Sequence, residues 1–296
     1  MAGTSLTQRR ERRLAALLVA PSAVLLLLIL VLPTLFAFVY SLLDLRLATV
    51  AGFAGLQNWQ EAVFTSSTVP LLARTAVFVT GTVVLTVVLA LPIAIWLDRL
   101  TRNRSLAMQV IVIVPWVLST VVAALLFRWT WLESLGIGSW LAELILGSRI
   151  NPLLDSAGAM ISLILVATWR TLGFAVLLLV AGLKSIDAEV YEAAKVDGAS
   201  ALQRFRLLTI PLLRTSLTIV VIVLLVSSLN NAEVPLVVTG GGPGDATMTL
   251  ALQIYQTAFA DLEFGGAAAL ASAAMVLNIL LVLAYTRMSR LGREDS

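Results

Sequence analysis

Six stretches of this chain are apolar for long enough to cross a bilayer, and no other feature restricts its fold so strongly. A transmembrane helix needs about 20 consecutive apolar residues. The runs Leu14 to Leu43, Leu71 to Leu97, Met108 to Phe127, Ala157 to Leu183, Leu212 to Thr239 and Gly266 to Tyr285 meet that requirement. They are continuous rather than alternating in polarity, which excludes a β-barrel. Only 12% of the 296 residues are charged, about half the share of a soluble domain. The predicted fold class is therefore an all-α polytopic membrane protein with six transmembrane helices. The first run is too long for a signal peptide and ends without a small-residue cleavage site, so it reads as a retained span. Pro21 and Pro33 are its expected kink points.

Charge sets the orientation. Fifteen of the 20 Lys and Arg residues fall in the N-terminal segment, the second loop, the fourth loop and the tail. The alternate loops hold only Arg46, Arg74, Arg128 and Arg149. Positive charge is retained on the cytoplasmic side, so both termini are predicted to be cytoplasmic. The expected parts are a cytoplasmic segment 1–13, a membrane domain 14–287 and a cytoplasmic tail 288–296. A pI near 9.7 could suggest nucleic acid. The cations cluster at span ends, where they set topology, so no nucleic-acid partner is expected and membrane lipid is.

Some chemistry is excluded at once. The chain has no Cys and no His, which removes thiolate nucleophiles, imidazole bases and the commonest zinc ligands. No catalytic or metal site is predicted. GGGP at Gly240 to Pro243 lacks the Lys of a phosphate-binding loop and lies on the outer side, so a tight turn is expected there. A stand-alone secondary transporter would need coupling carboxylates within the spans, and these are nearly absent apart from Glu233. An intramembrane enzyme would need an acid pair, a Ser-Lys pair or a His-based metal set.

The longest polar, helix-forming interruption runs from Tyr191 to Pro211. Asp187, Glu189 and Glu192 suit the positive end of a helix dipole, and Asp187 can cap it. Gly198 can stop the helix and Ser200 can cap the next one. Ala193 and Ala194 permit close approach of a partner surface, and Tyr191 is a candidate anchor. On these residues alone, an ordinary amphipathic connector fits equally well.

EAAKVDGASALQRFRLLTIP resembles the EAA signature of permease subunits in bacterial ABC carbohydrate importers. Glu192, Ala193, Ala194, Asp197, Gly198, Ala199 and Pro211 match that pattern, while Leu208 and Ile210 exchange its usual Ile and Leu. WRTLGFAVLLLVAGLKSID before it is similar to the same branch, with Asp187 in place of a common Pro. VVTGGGPGDATMTLALQIYQTAF and FAGLQNW extend the likeness to most of the chain from Phe53 onward. The whole resembles the maltose-permease-like, binding-protein-dependent family, and its Ala-, Val-, Leu- and Arg-rich style is also similar to mycobacterial trehalose-importer permeases.

The resemblance implies a type I importer permease fold. It implies a coupling helix at 187–199 that grips an ATPase through Tyr191, Glu192, Ala193, Ala194, Lys195, Asp197 and Gly198. It implies a second permease subunit in a heterodimer, two ATPase subunits and an extracellular or periplasmic sugar-binding protein. The chain itself would bind no cofactor and catalyse nothing, with ATP and Mg used by the partner ATPase. The substrate would be a disaccharide or oligosaccharide such as trehalose, or else glycerol phosphate or another polyol, in a bacterial inner membrane.

Two groups of residues compete for substrate contact. Ser227, Ser228, Asn230, Asn231 and Glu233 lie within seven residues of the fifth span. They suit either interhelical hydrogen bonding or a polar cavity for sugar hydroxyls; resemblance places Ser228 and Asn231 at sugar-contacting positions, with Glu233 nearer the outer end. Trp169 suits sugar stacking or the aromatic belt, and Gly173 would leave room beside it in the outer half of the fourth span. Arg170 should face protein or water, and Trp116 should pack. A reporter fused to the C-terminus should be active only in a form that functions in the cytoplasm; activity of an export-dependent reporter at that position would overturn the orientation.

Overall fold

The computed structural model describes residues 4–46, 49–133 and 135–294. The first three and last two residues of the expected termini lie outside this description, as do the side chains of Arg9, Arg10, Arg12, Arg13, Arg46, Arg290 and Arg293. Four helices are long and apolar enough to span a membrane, and the number is six if each of two bent helix pairs is counted as one span. The contacts divide the chain into two units: residues up to 65 with 256–275, and residues 66–255 with those from 276 onward.

The first unit begins with α1 (Thr4–Leu26), a π-helical turn (Leu27–Val31) and α2 (Leu32–Tyr40). The π-turn has a local cause. Pro33 has no N–H to donate and its ring would clash with the carbonyl four residues back, so the helix widens by one residue just before it. The same device recurs at a second proline: a π-turn at Phe205–Thr209 precedes Pro211.

The span Leu17–Tyr40 has no buried residue in its apolar window. It presents its Leu and Val side chains outward, which suits lipid or another apolar chain.

The stretch between the first two apolar runs contains the only β-strands among the described residues. Strands β1 (Leu43–Arg46) and β2 (Thr49–Phe53) pair antiparallel, with Leu43 opposite Phe53 and Arg46 opposite Thr49. The register shifts between Asp44 and Leu45, so Ala51 is a bulge. A short helix, α3 (Gln57–Ala62), follows. It fastens the hairpin: Asn58 Nδ2 donates to the Ser41 and Leu43 carbonyls at 2.9 and 2.8 Å, and Trp59 Nε1 donates to Ser41 Oγ at 3.1 Å. The FAGLQNW motif thus has a structural task.

The second unit is built around α4 (Thr68–Asp98) and α8 (Ser156–Leu183), which pack along much of their length. Phe78, Leu163, Leu179 and Val176 are fully buried there. Against this pair lie α5 (Arg102–Val117) and α6 (Thr120–Thr130), and α7 (Ile137–Leu146) packs on α6. A 3₁₀ turn, Pro152–Leu154, leads into α8, whose first turn is capped by Asp155 accepting from Gly158 N at 2.8 Å.

After α8 come α9 (Ala188–Val196), α10 (Ala201–Arg204), α11 (Ile210–Leu212), α12 (Arg214–Leu229) and α13 (Glu233–Val238). Helices α14 (Leu250–Phe259) and α15 (Phe264–Glu294) complete the chain. The start of α14 is tied to α4, where Leu250 N donates to Thr75 Oγ1 at 2.9 Å.

Two expected spans are corrected. The third is not straight: Leu118 and Ser119 adopt extended backbone, and α5 meets α6 at 90°. The fifth ends at Leu229 rather than Thr239, and the chain restarts as α13. The loops expected at Arg128 to Ser156 and Gly240 to Gly265 also contain helices, α7 and α14. Replacing Asn58 with Ala would leave two buried or half-buried carbonyls without their donor, so unfolding should become easier by about 1–3 kcal/mol, measured as a loss of thermal stability of the detergent-purified protein.

Candidate functional site

Helix α9 stands between two turns of defined chemistry. Asp187 occupies the N-cap position in extended geometry, but its side chain makes no capping hydrogen bond. Gly198 ends the helix with φ +78°, a conformation that costs a residue with a Cβ about 1–2 kcal/mol. Ser200 then closes a full capping box: its Oγ accepts from Gln203 N at 3.3 Å and its own N–H donates to Gln203 Oε1 at 2.7 Å. The helix is therefore set off from its neighbours at both ends.

Its two faces differ. Tyr191 and Ala194 are half-buried, and Tyr191 Oη lies 3.2 Å from Thr209 Oγ1. Tyr191 fastens α9 to the chain leading into α12 rather than projecting as an anchor. Glu192, Ala193, Lys195, Asp197 and Gly198 are exposed. So is Val196, at 88%, a residue the sequence reading did not single out. An apolar side chain that open beside Ala193 marks the free face of the helix.

The polar group of the fifth span lies at the end of α12. Each of its members has a defined place. Ser227 donates to the Val223 carbonyl within its own helix, and Ser228 is buried. Asn230 Nδ2 donates to the Val226 carbonyl at 2.7 Å, and Asn230 and Asn278 face each other amide to amide at 3.3 Å. Asn278, on α15, was missed because its polar partner is 48 residues away. Asn231 Oδ1, just before the Ala232 N-cap, accepts from Val234 N at 3.0 Å and so takes up a free N–H of the first turn of α13. Glu233 is exposed. Both Asn side chains therefore satisfy backbone at the break, while Asn230 and Glu233 also remain accessible.

Helix α6, the second half of the bent pair α5–α6, packs on α13, the short helix that follows the break after α12. Arg128 adds a hydrogen bond from its guanidinium to the Val237 carbonyl at 3.2 Å.

On α8, Trp169 and Arg170 are 13 and 14 residues from Ser156, about 20 Å along the axis. That places them at the middle of the helix, not in its outer half. Trp169 packs its ring on Phe127 of α6, centroids 5.5 Å apart. Trp116 stacks on Phe174 at 5.6 Å, the packing role expected of it. Arg170 Nε is buried with no hydrogen-bond partner among the described residues. Gly173 does not open space beside Trp169: a Cβ there would overlap the Val112 carbonyl oxygen and come within 2.8 Å of Ile113 Cα. It lets the backbones of α8 and α5 approach closely.

Residues 62–292 match the family described as the binding-protein-dependent transport system inner membrane component. The chain belongs to that family. It is 32% identical to the sulfoquinovosyl glycerol transport system permease protein of Agrobacterium fabrum, over 95% of this chain and 91% of the relative. It is 29% identical to the trehalose/maltose transport system permease protein of Thermococcus litoralis, over 98% of each. A crystal structure of a bacterial ABC transporter involved in the import of the acidic polysaccharide alginate aligns with a TM-score of 0.78 at 20% identity, covering 95% of this chain and 96% of that one. The family membership makes this chain an inner-membrane permease component, and α9 carries the EAA residues.

Gly173→Val should force α5 away from α8. The expected outcome is loss of transport with a fall in thermal stability; wild-type stability would show that the crossing tolerates a larger residue.

Proposed function

We propose that this chain is the permease subunit of an ATP-driven sugar importer, forming half of the translocation pathway. The observation that carries the reading is α9: an isolated helix with EAA residues, an open face at Glu192, Ala193 and Val196, and a tether from Tyr191 to Thr209. Such a helix suits docking into a groove on an ATPase. Thr209 lies two residues before the Pro211 that opens onto α12, so a push on α9 reaches the segment that ends in the polar break. Family membership and the relatives named for sugar transport support this assignment.

In this reading a second permease subunit completes the pathway, and two ATPase subunits bind ATP and Mg. An external binding protein delivers the solute. One relative structure was obtained with such a protein, bearing an alginate pentasaccharide. Both termini and α9 lie in the cytoplasm. ATP binding closes the ATPase pair, moves α9 and turns the spans outward; hydrolysis resets them. The polar break near Ser228, Asn230 and Asn231, with Trp169 across from Phe127, is the substrate region. Its amides and hydroxyls can both donate to and accept from sugar hydroxyls.

A disaccharide or oligosaccharide such as trehalose is the favoured substrate. Arg170 favours a second reading, an anionic sugar or polyol derivative. An unpaired guanidinium at mid-span depth is costly unless it meets water or an anion. Calorimetry of the co-purifying binding protein with trehalose, maltose and glycerol phosphate separates the two.

Glu192→Lys or Gly198→Pro should abolish uptake by the reconstituted complex while the protein remains in the membrane. Normal uptake by either variant would remove α9 from the coupling role. Asn231→Ala should weaken substrate-stimulated transport at least about tenfold with basal ATPase activity retained; unchanged transport kinetics would remove Asn231 from the site.

A further inference from the structure

Helix α4 carries two adjoining recesses near its C-terminal end. One, of about 520 Å³, is apolar and runs along Val88, Leu91, Pro92 and Trp96. The other, of about 560 Å³, lies against α9 and α10 and is lined by Asp98, Lys195, Arg204 and Tyr191 among others. Ile95, Arg99 and Phe205 line both, so the two form one continuous groove that changes from apolar to charged along its length.

The dimensions and charges specify an occupant. Val88 lies eleven residues before Arg99, the C-cap of α4, about 16 Å along the helix. One leaflet of hydrocarbon is about 15 Å deep. Val88 and Trp96 are more than half exposed, and a Trp at this level suits the boundary between chain and headgroup. The charged end brings together Arg99, Lys195 and Arg204 from three different elements, against the single carboxylate of Asp98. None of the three cations forms an ion pair among the described residues. Basic clefts at the membrane surface attract anionic headgroups, while a zwitterionic lipid would add a second cation to an already cationic site.

We propose that this groove binds an anionic phospholipid of the cytoplasmic leaflet, with an acyl chain along Val88 to Trp96 and the phosphate between Arg99 and Arg204. The proposal rests on the orientation given under Proposed function. Lys195 and Tyr191 belong to α9, so the bound headgroup would brace the coupling helix against the end of α4 and make transport dependent on lipid charge.

The test uses the assembled transporter, exchanged into nanodiscs of phosphatidylglycerol or of phosphatidylcholine with the same acyl chains. Native mass spectrometry should show phosphatidylglycerol retained at least about tenfold over phosphatidylcholine. The ratio should fall toward one in the Arg99→Gln/Arg204→Gln double variant. The unmodified complex should also melt at a higher temperature in phosphatidylglycerol, a measurement that needs no variant to fold. Equal retention of the two lipids by the wild type, no retained lipid at all because another subunit fills the groove, or an unchanged ratio in the double variant would each overturn the proposal. A C-terminal topology reporter tests the orientation separately. If it places the C-terminus outside, the fault lies in that reading; if it reads cytoplasmic and lipid retention still fails, the fault lies in the lipid site.

Discussion

A chain inside hydrocarbon must satisfy its backbone hydrogen bonds from within, because no water is there to do so. Everything irregular in this structure answers to that constraint. Spans α4 and α8 obey it by uninterrupted helix and form the frame. Where helix is interrupted, local chemistry repairs the ladder. Asn231 Oδ1 takes up the Val234 N–H, and Asn230 returns its amide to the Val226 carbonyl. Irregular backbone at such depth is tolerated where it is covered by protein or faces a wet cavity. The packing of α6 on α13 brings the second half of the bent α5–α6 pair and the restart after α12 into one place, beside the Trp169 ring and its neighbour Phe127.

The segment from α9 to α12 is a second consequence. Polar residues can collect there because the helix lies outside the apolar spans. Gly198 at positive φ and the Ser200–Gln203 capping box define the turn. The π-turn before Pro211 then carries the chain into the next span without leaving a clash at Leu207. Tyr191 reaches across to Thr209, so the helix is isolated in sequence but not mechanically loose. The adjacent groove, apolar at one end and cationic at the other, arises from the same crossing of a hydrophobic span end with a basic segment.

Much of this was legible in the sequence. Hydrophobic runs located the four long spans and marked the two bent helix pairs, since length and polarity are local properties. The stop at Gly198 and the cap at Ser200 were legible for the same reason. The break in the fifth span was visible only as a cluster of Ser and Asn; whether they face solute or mend the backbone depends on where the helix stops, and the structure shows both Asn side chains at work on the break. Asn278 and the Phe127–Trp169 contact were not legible, because their partners are far apart in the chain. The hairpin at Leu43–Phe53 was missed since its four- and five-residue strands carry no sustained alternation, and the Asn58 and Trp59 side chains that hold it act on Ser41 and Leu43.

The sequence by itself determined the membrane class, the four long spans and the family signature on α9, because each rests on composition or spacing within about 20 residues. Only the tertiary structure decided which polar groups remain open. It turned Tyr191 inward and Val196 outward, set Gly173 against the backbone of α5, and left Arg170 at the centre of α8 with Nε unpartnered. Those outcomes depend on which helices cross and at what height, and close packing between distant segments settles that.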